Sequence, residues 1–160
     1  MKKVILKKDT TKRAILEKLD LSLNSYDLVN QSEMINKLYL NESFPEQKKV
    51  RSQINTKLGS YRKQDKDKSR YDEKKFIKLD ETIELLVGSK MCCHYCRSKM
   101  YIFYQDVREP HQWTLDRVNN DIGHYGDNVV ISCLECNLKR RRTNKDGFLF
   151  TKQLKLVKKN

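Results

Sequence analysis

Apolar residues recur along the chain with two different periods, and the change of period divides it. In SYDLVNQSEMINKLYL, residues 25–40, Leu28, Val29, Met34, Leu38 and Leu40 return at approximately helical spacing, and Ser25 is placed to cap the segment. TTKRAILEKL upstream reads as another short helix. Val50, Ile54 and Leu58 recur every four residues, which predicts a helix with one buried stripe and a basic outer face. DETIELLVGSK, from Asp80, predicts a capped helix that ends near Gly88. Further on the period shortens to two. Trp113 and Leu115 face one way while Thr114 and Asp116 face the other, and Val129 and Ile131 share a face of a second strand. That strand leads straight into CLECNLKRRRT, where Leu134 and Leu138 lie four apart and predict a helix with both leucines on the core.

The class expected is therefore α+β, with a helical, basic N-terminal extension over residues 1–89 and a compact unit over residues 90–160. Of the 160 residues 38% are hydrophobic and 34% charged, so the core is modest and an external staple would help it. The net charge of +13 favours a polyanion as partner, either nucleic acid or an anionic membrane surface. No apolar run approaches the roughly 20 residues that span a bilayer. The start, MKKVILKKDTTK, has only three consecutive apolar residues, Val4 to Leu6. The expectation is an intracellular protein, neither secreted nor membrane-spanning.

The positive charge is gathered in two places. Residues 48–75 hold 11 Lys or Arg against 4 Asp or Glu, interleaved with Tyr61 and Tyr71; Lys57, Arg62 and Lys63 are its candidate phosphate contacts. Residues 139–160 hold 9 Lys or Arg against one Asp, and open on Lys139, Arg140, Arg141 and Arg142. Binding to a polyanion through such runs should weaken steeply with salt.

Five cysteines without a secretion signal fall as two close pairs and one odd residue. Cys93 and Cys96, and Cys133 and Cys136, form two Cys-x-x-Cys pairs separated by 36 residues. Each pair can present two thiolates to one tetrahedral ion, and zinc is the usual occupant. A closed four-sulfur site has no open position for substrate, so its role is structural. Cys92 is left over, and His94 is an alternative ligand.

Between the pairs the chain gathers a carboxylate, an imidazole and two amides: Asp116, His124, Asn128 and Asn137. Two strands followed by a helix can bring Asp116 and Asn137 together as oxygen ligands of a hard divalent cation such as magnesium. The run LDR…GH…DNVVISCLECNLKRR resembles the HNH endonucleases of the ββα-metal fold, and more narrowly is similar to HNH proteins encoded by large DNA viruses. The likeness covers roughly residues 90–156.

The resemblance implies a DNA-cutting enzyme with one catalytic magnesium or manganese ion on Asp116 and Asn137, buttressed by a zinc site. It also implies products with a 5′ phosphate and a 3′ hydroxyl, and it makes Asn128 the amide that braces the loop. Where the family has Asp-His, this chain has Asp116-Arg117. A guanidinium stays protonated and cannot act as the base, but it can clamp a phosphate. His124 is the best replacement base, since variants with Asp-Arg often keep a Gly-His in this loop; His111 and Tyr125 stand behind it. Arg140 and Arg141, three and four residues after Asn137, would grip the backbone beside the scissile bond.

Each residue also has a plain structural role open to it. Asp116 could pair with Arg117 or Lys139, Asn137 could cap a turn, and Asn128 could satisfy loop backbone. Two other functions fit the same features: a zinc-stapled DNA-binding protein whose catalytic centre is inactive, and a nucleic-acid-binding subunit of a larger assembly. A double-strand break would call for a homodimer or two successive nicks.

Overall fold

The computed structural model describes residues 21–154. The upstream segment TTKRAILEKL and the last lysines of the C-terminal run lie outside the described residues. Helices α1 (Leu28–Tyr39), α2 (Gln47–Asp67) and α3 (Leu79–Gly88) precede the strands β1 (Trp113–Arg117) and β2 (Val129–Cys133). Helices α4 (Leu134–Arg140) and α5 (Lys145–Gln153) follow them. The class is α+β, with one two-stranded antiparallel sheet among the described residues.

Helix α1 starts because Asp27, not Ser25, caps it: Oδ1 of Asp27 accepts from the backbone N–H of Val29 at 2.7 Å and of Asn30 at 3.4 Å. Ser25 sits one turn earlier in a 3-10 segment, Leu23–Tyr26, with its hydroxyl 2.9 Å from that of Ser22. The buried face of α1 is Gln31, Ile35 and Leu38. Val29 and Leu40, expected on the core, are 66% and 61% exposed because the 31–35–38 stripe lies on another side of the helix. Gln31 ties α1 to the segment after the first cysteine pair. Its Oε1 accepts from Ile102 N (2.7 Å) and Phe103 N (3.0 Å), and its Nε2 donates to Phe103 O (3.2 Å).

In α2 the stripe Val50, Ile54 and Leu58 is buried as the four-residue spacing predicts, each side chain contributing about 1.5–3 kcal/mol. The stripe then continues into Tyr61 and the fully buried Asp65. Helix α3 begins at Leu79, and Glu81 in its first turn accepts from Lys78 N at 2.7 Å.

Strands β1 and β2 pair from Trp113↔Cys133 through Leu115↔Ile131 to Arg117↔Val129. The sheet therefore has a cysteine end and a loop end. Both faces are covered, since Trp113, Thr114, Leu115 and Asp116 are all buried. Helix α4 follows β2 without a break, yet Leu138 is 63% exposed. The inward positions of α4 are Cys136 and Arg140, also four apart, because the sulfur of Cys136 must meet the other cysteines. Asn144 caps α5 by accepting from Asp146 N (3.0 Å) and Gly147 N (3.1 Å). A single apolar cluster runs from Ile35 in α1 to Cys136 in α4. No helix among the described residues is long and apolar enough to cross a membrane.

Candidate functional site

At the cysteine end, the sulfurs of Cys93, Cys96, Cys133 and Cys136 all lie within 4.8 Å of one another, so the four could hold a metal ion such as zinc. Cys96 and Cys133 are 3.8 Å apart, close to the roughly 3.8 Å edge of a tetrahedron whose centre lies about 2.3 Å from each sulfur. The first pair is placed by His94 N donating to Ile131 O (2.9 Å) and Cys93 N to Ser98 O (2.9 Å); β2 and α4 carry the second. Crowding makes the thiols ionise unequally. A hydrogen bond from Cys133 holds Cys93 down at about 4, while burial pushes Cys136 up to about 12. Four sulfurs that cannot all carry charge alone are the donor set a soft cation satisfies. Cys92 and His94 stay outside the cluster.

At the loop end, a cleft of about 220 Å³ opens between α2, β1 and α4. His124 lines it although its side chain is almost wholly buried. The imidazole Nδ1 lies 2.8 Å from Oδ1 of Asp65 in α2, and the backbone N–H of His124 donates to Oδ2 of the same carboxylate at 2.7 Å. With a carboxylate as acceptor, Nδ1 carries the proton and Nε2 is left as the basic nitrogen. The ring of Tyr61 packs on the imidazole at 4.4 Å between centres. Burial lowers the pKa of His124 below its ordinary value, and the Asp65 charge opposes that shift without reversing it. The ring is therefore neutral at pH 7.

Four further hydrogen bonds fix the loop that presents His124. Asn128 accepts from Asn119 N through Oδ1 (2.9 Å), and its Nδ2 donates to Asn119 O (2.9 Å) and Gly123 O (3.0 Å). Ile77 N donates to His124 O at 2.9 Å, binding the loop to the segment after α2. Gly123 has no room for a side chain: an added Cβ would lie 2.6 Å from Arg70 O and 2.8 Å from Oδ2 of Asp65. Only glycine lets the carboxylate approach the following backbone N–H.

Asp116 lines the same cleft, but its oxygens are engaged. Oδ1 accepts from Nη2 of Arg140 (2.7 Å), while Oδ2 accepts from Nε of Arg140 (2.5 Å) and from the Tyr95 hydroxyl (2.5 Å). This is a bidentate guanidinium–carboxylate pair, buried on both sides. The Asp116 hydrogen bond raises the Arg140 pKa; burial and the same carboxylate raise that of Tyr95. The expected partners Arg117 and Lys139 are not the ones Asp116 takes.

Asn137 lies nearby, its Nδ2 donating to Thr114 Oγ1 (3.0 Å) and Leu115 O (3.4 Å). A hard cation seeks carboxylate oxygens. With Arg140 on both oxygens of Asp116, the residues as arranged do not fit such an ion on Asp116 and Asn137.

Two phosphate-contact assignments are corrected for the same reason, since burial removes the side chain from any polyanion. Arg140 is 1% exposed, and its remaining donors go to Thr143 O, Arg117 O and Asn120 Oδ1. The ammonium of Lys57 is turned inward to Gln112 Oε1 (2.9 Å) and Trp113 O, and burial pushes its pKa down to about 7. Arg117 and Arg141 remain cationic side chains of the cleft. Arg117 donates to Ile122 O (3.1 Å) and stands 3.9 Å from Asp65.

Arg141 holds a left-handed backbone, φ 51° and ψ −112°, where glycine is favoured. Arg62 and Lys63 are exposed on α2, Lys63 paired with Asp67 at 2.8 Å. Lys139 and Arg142 are exposed on and just after α4, paired with Glu135 and Asp121 at 2.6 Å each. His111 and Tyr125 do not line the cleft; Tyr125 donates its hydroxyl to Arg70 O at 2.7 Å.

Asp65 is the site residue that sequence reasoning missed. Comparison with models of known protein families, with curated proteins and with solved structures finds no match.

Proposed function

We propose that the protein is a DNA endonuclease of the HNH kind, stapled by zinc on Cys93, Cys96, Cys133 and Cys136, and that it hydrolyses phosphodiester bonds in the cleft beside His124. The observation that carries this reading is the Asp65–His124 pair: a buried carboxylate 2.8 Å from Nδ1 of a neutral imidazole that lines a cleft flanked by arginines. That is the arrangement a general base needs, a proton fixed on one nitrogen and a lone pair on the other. The likeness of LDR…GH…DNVVISCLECN to HNH enzymes and the net charge of +13 point to DNA as the substrate.

In this mechanism Arg117 and Arg141 hold the nonbridging oxygens of one phosphate and offset the charge that builds on them. His124 Nε2 takes a proton from a water in line with the 3′ oxygen. The new oxygen–phosphorus bond forms as the bond to the 3′ oxygen breaks, and the leaving oxygen takes a proton from solvent water to give a 3′ hydroxyl and a 5′ phosphate. Asn128 keeps the loop, and hence the imidazole, in register. The resemblance implies magnesium or manganese on Asp116 and Asn137, but Arg140 holds both oxygens of Asp116, and the side chains named here carry the reaction.

The same Arg140–Asp116 pairing favours a second reading, a DNA-binding protein without cleavage. One experiment separates them. Zinc-loaded protein is incubated with supercoiled plasmid, with and without magnesium or manganese, beside His124→Ala. Nicking by the wild type that falls by about 10²-fold or more in the folded variant supports the enzyme. A plasmid that is bound and shifted but stays intact under every cation supports the binding protein.

A further inference from the structure

Helix α4 ends in a conformation that arginine does not favour, and the residue that ends it lines the cleft. The ordinary left-handed stop of a helix has φ near about +57° and ψ near about +47°. Arg141 has φ 51° but ψ −112°. Because ψ sets the direction of the residue's own carbonyl, Arg141 O is swung away from where a usual stop would place it. Such a backbone suits glycine and strains any other residue. Strain of this kind persists only where the surroundings hold it, and it gathers at ligand clamps.

What holds it is Asn120, from the loop between β1 and β2. Its Nδ2 donates to Arg141 O at 2.8 Å, and its Oδ1 accepts from Nη2 of Arg140 at 3.1 Å. The same Nη2 donates to Arg117 O, and Nη1 of Arg140 donates to Thr143 O at 2.7 Å. Thr143 N donates to Arg140 O at 2.9 Å and closes the turn. Asn120 and Arg140 thus tie the main-chain carbonyls of both cleft arginines, Arg117 and Arg141, into one network.

The side chains differ in what they leave for a ligand. Lys139 is paired with Glu135, Arg140 with Asp116 and Arg142 with Asp121. Arg117 donates to Ile122 O. The Arg141 guanidinium lines the cleft with no hydrogen-bond or ion-pair partner among the described residues. An unpaired cation on a strained backbone at the wall of a cleft is arranged for an anion that arrives from outside.

Resting on the reading of this cleft as the phosphodiester site, we propose that Asn120 is its positioning residue. The hydrogen bond to Arg141 O keeps the strained turn, and the turn keeps the unpaired guanidinium at the cleft for the nonbridging oxygens of a DNA phosphate. Asn120 acts through Arg141 and touches no reacting atom. Without that hydrogen bond residue 141 relaxes, its Cα–Cβ bond turns with the backbone, and the guanidinium leaves the cleft.

Fluorescence anisotropy of a short labelled DNA duplex tests this as a double-mutant cycle, with full-length zinc-loaded protein and no magnesium or manganese added. Arg141→Gly removes the guanidinium and suits the backbone, so its turn no longer depends on Asn120. It should weaken binding about tenfold. It should also lower the slope of log K against log salt by about one, the signature of one lost phosphate contact. Asn120→Ala should change both quantities nearly as much, although it removes no charge. On the Arg141→Gly background it should change neither. Asn120→Ser, with its shorter side chain, serves in its place if the alanine variant does not fold.

Losses that add in the double variant, or an Asn120→Ala protein that keeps the full salt slope, would overturn the proposal. A residue that only supports the fold would act whether or not Arg141 is present, and would take no phosphate contact with it. Binding by the wild type that is indifferent to Arg141→Gly would overturn it as well. A duplex bound with this coupling but left intact under every cation keeps the role of Asn120 and removes the endonuclease. Nicking by a protein whose losses simply add does the reverse.

Discussion

The two ends of the β1–β2 pair gather charge in opposite ways. At the Cys133 end four sulfurs crowd within 4.8 Å of one another, a donor set that could hold a cation from outside. At the Arg117 end two buried carboxylates are each met by partners from the chain itself, Asp65 by His124 and Asp116 by Arg140 and Tyr95. One end offers a donor set to a ligand from outside. The other is assembled by folding, and its polar groups are oriented before any substrate arrives, which is what electrostatic catalysis requires.

The largest effect that tests this contrast is loss of the metal. Structural zinc contributes on the order of 10 kcal/mol in small domains, so a strong chelator, or Cys133→Ser, should unfold the sheet and α4. Circular dichroism melts should show the transition collapse, with recovery on adding zinc to the wild type. An unchanged melt would remove the cluster from the stability of the fold.

Breaking the internal pair should cost less but still heavily. Arg140→Met leaves Asp116 buried and uncompensated, an expected loss of about 3–5 kcal/mol by denaturant titration. Adding Asp116→Leu should recover much of it, because the orphaned charge is gone; two losses that simply add would show the residues to be uncoupled.

Gly123→Ala drives a Cβ against Arg70 O and the Asp65 carboxylate, with an expected cost of about 1–3 kcal/mol and a displaced His124. Nicking should fall more than stability does.

The pH dependence has a definite sign. Burial holds the folded pKa of His124 below 6.5, so the neutral base persists as pH falls through that value and the rate drops only at lower pH. Stability follows the same direction: the unfolded chain takes up the proton first, so the contribution is present above 6.5 and declines as pH falls. Asp65→Asn removes the charge that raises this pKa, and the acid limb of the rate profile should move lower still. A limb that does not move would reduce Asp65 to a packing role. The smallest expected effect is at the cysteine end, where Arg97 has φ 63°; Arg97→Gly should stabilise by about 0.5–1 kcal/mol.

What the sequence made legible at the two ends differs for a physical reason. The thiolate pairs are short local patterns, and β1, β2 and the helix after them follow from a period of two running into a period of four. His124, the candidate base, stood out through Gly-His in its loop. Its partner was not, because Asp65 lies 59 residues away in a stretch that reads as a basic solvated face. A signal was there: Asp65 continues the stripe of Val50, Ile54 and Leu58, and an acid at a buried position needs a partner.

Arg140 hides in the same way. It lies four residues after Cys136, on the same inward face of α4, inside a run of arginines that suggests phosphate contact. Composition identifies such residues as surface; only their phase along the helix shows them to be interior. Lys57 was misjudged for that reason, beside Leu58 and one turn from Tyr61.

The chain itself builds a neutral imidazole, held through Nδ1 by Asp65, at the edge of the cleft. With three histidines in the sequence, a nitrogen-15 NMR titration of the imidazoles is the most direct test. His124 should carry its proton on Nδ1 at pH 7, leave Nε2 bare, and titrate below 6.5. A proton on Nε2, or a midpoint above 6.5, would contradict it.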